Sequence, residues 1–340
     1  MVPLTTPQVW VDGRPLSSLA SWGDLKITHR WPYGCWALDW GMALKPYQRP
    51  IGLKADVPVE ARMGSAVIWS GVLVRPDWDA GTFEADGLAR QGEETLCLTS
   101  DGETTSTPDT AIDAAIARGA VDWIRRSSLS SAAFADGGST ADLNYVTALL
   151  DAWSSAQGKR WGVNARREVY AVADPTTPSI YIRPGTGVLG VAAEAIAGTV
   201  VGAYYDADHV PHRVSVGSGR PEVGVGLANR GALDSTSATA IITGIRDQLQ
   251  AVTGWTNGIT VTADQVTAPG GEGMALDRVV AGEMSRLLGL RDERGASAQT
   301  DIVLGETIWD VTAGTVQCNP VGLSDRSLSG VIEAAGGELL

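Results

Sequence analysis

The chain has 340 residues, enough for two or three domains at the usual ~100–200 residues each. Its 26 Lys and Arg against 39 Asp and Glu leave a net charge of −13, which excludes a general nucleic-acid-binding surface and a basic anchor on anionic lipid. An apolar fraction of 44% excludes wholesale disorder, and 41 Gly with 16 Pro in no collagen-like period predict many short strands and turns.

Residues 8–100 read as strands. Val9-Trp10-Val11 runs into Asp12-Gly13, a strong turn dipeptide. Leu25 to Thr28 alternates, and an aromatic-rich run follows from Trp31 to Trp40. The clearest hairpin joins Ala66–Val74 to Thr82–Leu88 through Asp77–Gly81. Its first arm is apolar on both faces, so both faces are expected to be buried, and Gly71 marks a bulge or a barrel corner. Ser100 to Asp109 reads as a linker, after which Thr107 and Pro108 open a helix that Gly119 closes. Leu143, Val146, Leu149, Leu150 and Trp153 fall in phase on a second helix over Ala141–Ala156.

Farther on, Trp161–Val163 and Glu168–Val172 pair as strands, Ser179–Ile182 is another, and Val200–Asp206 with His212–Val216 form a hairpin. Ala232–Val252 and Met274–Leu288 read as helices. Gly258–Ala263, Thr300–Leu304 and Thr307–Cys318 read as strands. The apolar stretch Val188–Ala203 carries Glu194 and is too short to span a bilayer. The N-terminus lacks the basic and apolar regions of a signal peptide. The expected fold class is α+β and β-rich.

Four groups of residues invite a chemical reading. Gly185-Thr186-Gly187-Val188-Leu189-Gly190, with Asp206 about 20 residues on, has the outline of a dinucleotide fingerprint. Pro184, the short helix before Gly198 and the lack of further βαβ units weigh against it. Asp206, Asp208, His209 and His212 are proper metal ligands in a local cluster, and equally an ordinary polar hairpin tip. Asp77 and Asp79 are a carboxylate pair of the type glycosidases use, but they lie in a turn where acids are usually only solvated. Trp31, Trp36 and Trp40 would stack sugars or, more often for indoles, anchor a core or a subunit interface. No nucleophile elbow or Walker A motif is present. The three cysteines Cys35, Cys97 and Cys318 are widely spaced and are expected to be reduced and buried.

The run Trp31-Pro32, Gly34-Cys35, Trp40 and Met42, followed by Val67–Leu73, Pro76–Asp79, Gly81–Phe83 and Ala85–Leu88, resembles minor tail proteins of actinobacterial phages. Those belong with the baseplate hub, or tail-associated, family. Gly158–Val163, Val169-Tyr170 and Asp174–Pro178 extend the likeness, which covers residues 20–220. It implies two β-barrel-like tube domains with mixed α/β insertions. The first tube domain is expected over 1–104, the insertion over 105–172 and 230–290, and the second tube domain over 173–229 and 291–340. It further implies a non-enzymatic virion protein at the tail tip, made in the host cytoplasm, without cofactor or metal. Its expected partners are copies of itself in a homotrimeric ring, a distal tail protein, a tape measure protein and other tip proteins, with DNA passing through but not held. A hexameric distal tail protein is the alternative of the same class. A nucleotide-dependent enzyme or a cell-wall hydrolase is the alternative of another. The acidic residues Asp77, Asp79, Glu84 and Asp86 are candidates for a channel wall that repels DNA.

Overall fold

The computed structural model describes residues 6–43, 52–134, 145–183, 198–250, 258–291, 297–321 and 338–339. Along the chain the first strands are β1 (Gln8–Val11), β2 (Arg14–Pro15), β3 (Trp22–Arg30), β4 (Tyr33–Met42), β5 (Pro58–Met63), β6 (Ala66–Asp77) and β7 (Thr82–Gly87). Helices α1 (Pro108–Ala117) and α2 (Val146–Ala156) follow, then β8 (Arg160–Val163), β9 (Val169–Val172) and β10 (Ile180–Ile182). Next come β11 (Thr199–Tyr205), β12 (Pro211–Gly217), β13 (Glu222–Gly226) and helix α3 (Ser235–Gln250). The last strands are β14 (Ile259–Thr262), β15 (Val266–Thr267), β16 (Met284–Arg291), β17 (Ser297–Asp310), β18 (Thr315–Pro320) and β19 (Glu338–Leu339). The β-rich α+β class is as expected. The chain divides into two compact units, a larger one of residues 1–184, 260–289 and 301–321 and a smaller one of 185–259, 290–300 and 322–340.

The larger unit is built on one extended sheet, ordered β15-β10-β16-β17-β3-β4-β7-β6-β5-β1-β2, with β18 and β14 branching from β17 and β8 and β9 from β4. The turn between β1 and β2 follows directly from Asp12-Gly13, both at positive φ (48° and 71°), as a two-residue hairpin of the twist-matching kind requires. One face of β3, β4, β5, β6 and β7 buries Ile27, Leu38, Trp40, Val59, Trp69, Leu73, Phe83 and Ala85 in a common core. Gly71 and Gly87 are places of close approach. A Cβ on Gly87 would stand 1.8 Å from the Cys35 carbonyl oxygen, and one on Gly71 2.1 Å from that of Asp86. The register shift between β6 and β7 falls between Leu73 and Arg75, so the bulge is offset from Gly71.

A second core lies under α1 and α2, where Ile112, Leu149, Leu150 and Trp153 meet Trp123 and Trp161. Pro108 takes the first turn of α1 as expected, but the Thr107 hydroxyl makes no capping bond. Gly119, at φ 66°, ends that helix and Gly158, at φ 61°, follows α2. Residues 141–144 of the expected second helix lie outside the described residues.

In the smaller unit the sheet order is β12-β11-β13-β19, and α3 packs on β11 and β12. Val200, Tyr204, Val223, Val225, Ile242 and Ile245 form its core.

Three expectations change. Among the described residues no closed barrel forms, because the long sheet runs open from β15 to β2. The helix expected over Met274–Leu288 is a single 3-10 turn at Leu276–Arg278 followed by β16. Gly282 sits between them at φ 93°, and β16 finds a parallel partner in β10, a pairing that outweighs local helical spacing. Thr307–Cys318 is not one strand: it holds the end of β17, a turn and most of β18, which pair antiparallel.

Candidate functional site

Trp31 lies against Tyr170, with ring centroids 6.1 Å apart, and its Nε1 donates to Asp174 Oδ1 at 2.7 Å. Trp40 is buried and stacks on Phe83 at 5.6 Å. Neither indole offers an open face for a sugar. Trp36 is half-buried and carries two guanidinium groups near its ring, Arg30 at 4.1 Å and Arg90 at 5.2 Å from its centroid. Glu306 pairs with Arg30 at 2.8 Å, and Asp86 pairs with Arg90. The aromatic run therefore acts as core and wall, and only Trp36 belongs to a charged surface.

That surface is the sheet face opposite the core. Backbone register aligns Asp310 with Lys26, Lys26 with Asp39, Asp39 with Glu84, and Glu84 with Arg75. Five strands thus carry one row of charges, alternating in sign except at the Asp39–Glu84 step, where like charges face each other. Burial, and then Glu84, raise the Asp39 carboxyl above the ordinary carboxylate range, with Lys26 opposing. Asp86 is raised by burial against the pull of Arg90. A groove of about 580 Å³ opens on this row, lined by Asp24, Lys26, Asp39, Arg75, Asp77 and Glu84 among others.

Of the acidic residues singled out in the sequence, Glu84 and Asp86 lie on this face. Asp77 instead closes the β6–β7 turn, where its Oδ1 accepts from the amides of Asp79 at 3.1 Å and Ala80 at 2.9 Å. Asp79 is held through its backbone, so the pair forms a turn, not two facing carboxylates. Arg30, Arg90, Lys26, Asp39 and Glu306 also belong to this face, and no local motif marks them. The alternations Asp24, Lys26 and Glu84, Asp86 are the available signal, since polar residues at every second position mark a solvated sheet face.

The Asp206–His212 group is a hairpin tip. Asp206 Oδ1 accepts from the amides of Asp208 at 3.0 Å and Val210 at 2.8 Å, and its Oδ2 meets His212 Nε2 at 2.8 Å. These bonds, led by that from Val210, hold the Asp206 carboxyl below its usual range. Both oxygens are thus taken up by the turn. Among the described residues no three His, Cys, Asp or Glu side chains are placed to hold a metal ion. The glycine motif Gly185–Gly190 lies outside the described residues.

Two further polar side chains bond within the fold. Asp151 accepts from Trp161 Nε1 at 2.6 Å and from the Tyr33 hydroxyl at 3.2 Å. His29 Nε2 lies 3.3 Å from the Ile68 carbonyl, and burial pulls its pKa down to about 4. Cys35, Cys97 and Cys318 are free and buried, as expected, and burial pushes the Cys35 and Cys318 thiols up to about 12.

No protein-family model matches the sequence, and no curated protein matches it. Solved structures do match. The 43 kDa tail protein of prophage MuSo2 from Shewanella oneidensis superposes with a TM-score of 0.57 at 12% identity, covering 92% of this chain and 96% of that one. This chain has the fold of a solved tail protein. A tail protein from Neisseria meningitidis gives 0.53 at 12% identity over 92% and 96% of the two chains. The prophage tail protein gp18 from Listeria monocytogenes gives 0.50 at 11% identity over 96% and 97%. At these identities the likeness is one of fold, and it spans both units rather than one module.

Proposed function

We propose that this chain is a non-enzymatic structural protein of a bacteriophage tail, placed at the tail tip as a baseplate hub that continues the tail tube and carries other tip proteins. The observation that carries this reading is the extent of the fold match. Three solved tail proteins cover 92–96% of this chain, and it covers 96–97% of each of them. A shared module would match in part, whereas here whole chains correspond. The site chemistry agrees with it: the indoles are spent on packing, and the carboxylates on turns and ion pairs. In this reading copies of the chain form a ring, threefold for a hub, and contact a distal tail protein and a tape measure protein. The charged sheet face that carries Asp39, Glu84 and Asp86 supplies channel wall, whose excess of carboxylates lets DNA pass without being held.

The test is imaging of the phage particle with the chain labelled at one terminus. Label at the tail tip with threefold symmetry is the expected result. Sixfold symmetry at the same end would assign the distal tail position instead, and label absent from the particle would overturn the reading altogether.

A further inference from the structure

Two bulges assemble four charges on the sheet of the larger unit. Between β3 and β4 the register shifts between Gly23 and Lys26. Carried on unshifted from Gly23 opposite Gly41, the pairing would set Leu25 opposite Asp39; the shift sets Lys26 there instead. Between β6 and β7 the register shifts between Leu73 and Arg75. Unshifted, Val74 would face Glu84; the shift brings Arg75 to it. Asp39 and Glu84 stand directly opposite each other across β4 and β7. The order is therefore cation, carboxylate, carboxylate, cation. Each cation owes its place to an irregularity in the strand that carries it or in its pairing, where a regular ladder would have placed an apolar side chain.

The two carboxylates are served unequally. Glu84 accepts from Arg75 Nη1 at 2.9 Å. Asp39 is half-buried and has no hydrogen bond or ion pair within the described residues. Lys26 opposite it is exposed and attracts it only from a distance. The other charges around Asp39 are Asp24 from β3, Glu84 and Asp86 from β7, and Arg75 and Asp77 from β6, with Asp310 of β17 beyond Lys26. β4 itself carries no second charge. Carboxylates thus outnumber cations around a carboxyl group that lacks a close partner.

We propose that Asp39 is a proton switch in this sheet face: protonated, it donates a hydrogen bond to the Glu84 carboxylate and ties β4 to β7, and ionised, it leaves Glu84 to Arg75 alone. Directly opposed residues have Cβ atoms about 4.5–5.5 Å apart, so the two carboxyl groups are within reach of each other. Burial, with Glu84 next, favours the neutral form of Asp39, and Lys26 opposes it. The proton comes from solvent through the open groove of about 580 Å³ that Asp39 and Glu84 line. The row from β17 to β6 holds the carboxylates of Asp310, Asp39 and Glu84 against the cations of Lys26 and Arg75, so one proton takes it from one net negative charge to none. That a channel wall loses repulsion for DNA in acid rests on the tail-protein reading above; the titration itself does not.

NMR of the full chain, with isotope-labelled Asp carboxyl carbons and pH lowered from about 7.5 to about 3.5, is the experiment. The Asp39 signal is identified by its absence from Asp39→Asn. It is expected to titrate above the ordinary carboxylate range, and Glu84→Gln should move its midpoint down. Thermal melts of the full chain give a second readout. The folded chain holds the Asp39 proton more tightly than the unfolded chain, so the wild type gains stability from this group as pH falls. Asp39→Asn is neutral throughout. It should melt above the wild type at about pH 7, with the gap closing by about pH 4. The His29 contribution is common to both chains and cancels in the difference. An Asp39 signal that titrates within the ordinary range would overturn the proposal. So would a midpoint that Glu84→Gln leaves in place, which is how burial alone would act, or an Asn variant that melts with or below the wild type at neutral pH. None of these results depends on where the chain sits in a particle, so failure here and failure of the tail-protein reading are told apart.

Discussion

Each unit covers one face of a sheet, but with different side chains. The larger unit fills its main core with Trp40, Trp69 and Phe83 among leucines and valines. The smaller unit has no tryptophan among its described residues and relies on Val200, Val223, Val225, Ile242 and Ile245 under a helix. Indoles bury more area per residue, and their ring stacking fixes register. Branched aliphatics under a helix depend on close fit instead: at Gly202 a Cβ would stand 2.5 Å from Ile242 Cγ1. The larger unit is therefore held by bulk and the smaller by fit, and single substitutions should separate the two.

The largest effect is expected at Trp40. Trp40→Ala removes a buried indole stacked on Phe83 and should cost about 3–5 kcal/mol in denaturant unfolding of the larger unit. Limited proteolysis should leave the smaller unit intact, and simultaneous cleavage of both would break the distinction. In the smaller unit, Gly202→Ala should cost about 1–3 kcal/mol by overpacking, and adding Ile242→Val should recover part of it. An additive double variant would mean that Ile242 does not limit the space.

A pH titration probes the larger unit alone. The pKa of His29 falls from 6.5 when unfolded to about 4 when folded, so the unfolded chain binds the proton more tightly. The stability this neutral ring contributes is complete above about 6.5 and is lost as pH falls toward 4. His29→Gln should flatten that slope in thermal melts between pH 7 and 4. The smallest effect is expected at Arg75, whose side chain is 71% exposed in its pair with Glu84. Arg75→Ala should change stability by no more than about 0.5 kcal/mol.

Local signals read the larger unit well where a turn or helix end writes itself in a few residues. Asp12-Gly13 gives the first hairpin, Pro108 and Gly119 bound α1, and the apolar run Ala66–Val74 with the alternating Thr82–Leu88 gives β6 and β7. What the sequence hides is set at long range. Met284–Arg291 is a strand because β10, about a hundred residues earlier, pairs with it. The charged face is hidden for the same reason: Arg30 and Glu306 lie 276 residues apart, and nothing near either one names the other. Clustering along the chain is what marks a residue for chemistry in a bare sequence. Here local clusters such as Asp77–Asp79 and Asp206–His212 build turns.

The pairing of β3 with β17 also bears on how the chain is made. Thr28 is aligned with Ile308, so some 280 residues must leave the ribosome after the first strand before its neighbour exists. At the usual ~5–20 residues per second that takes roughly 15–60 s. Throughout that interval one edge of β3 has no partner, next to a nascent chain whose other strands have already been synthesised. Newly made polypeptide is therefore most exposed to mispairing until β17 emerges. Truncation anywhere upstream of β17 should yield a product that aggregates rather than a smaller soluble protein.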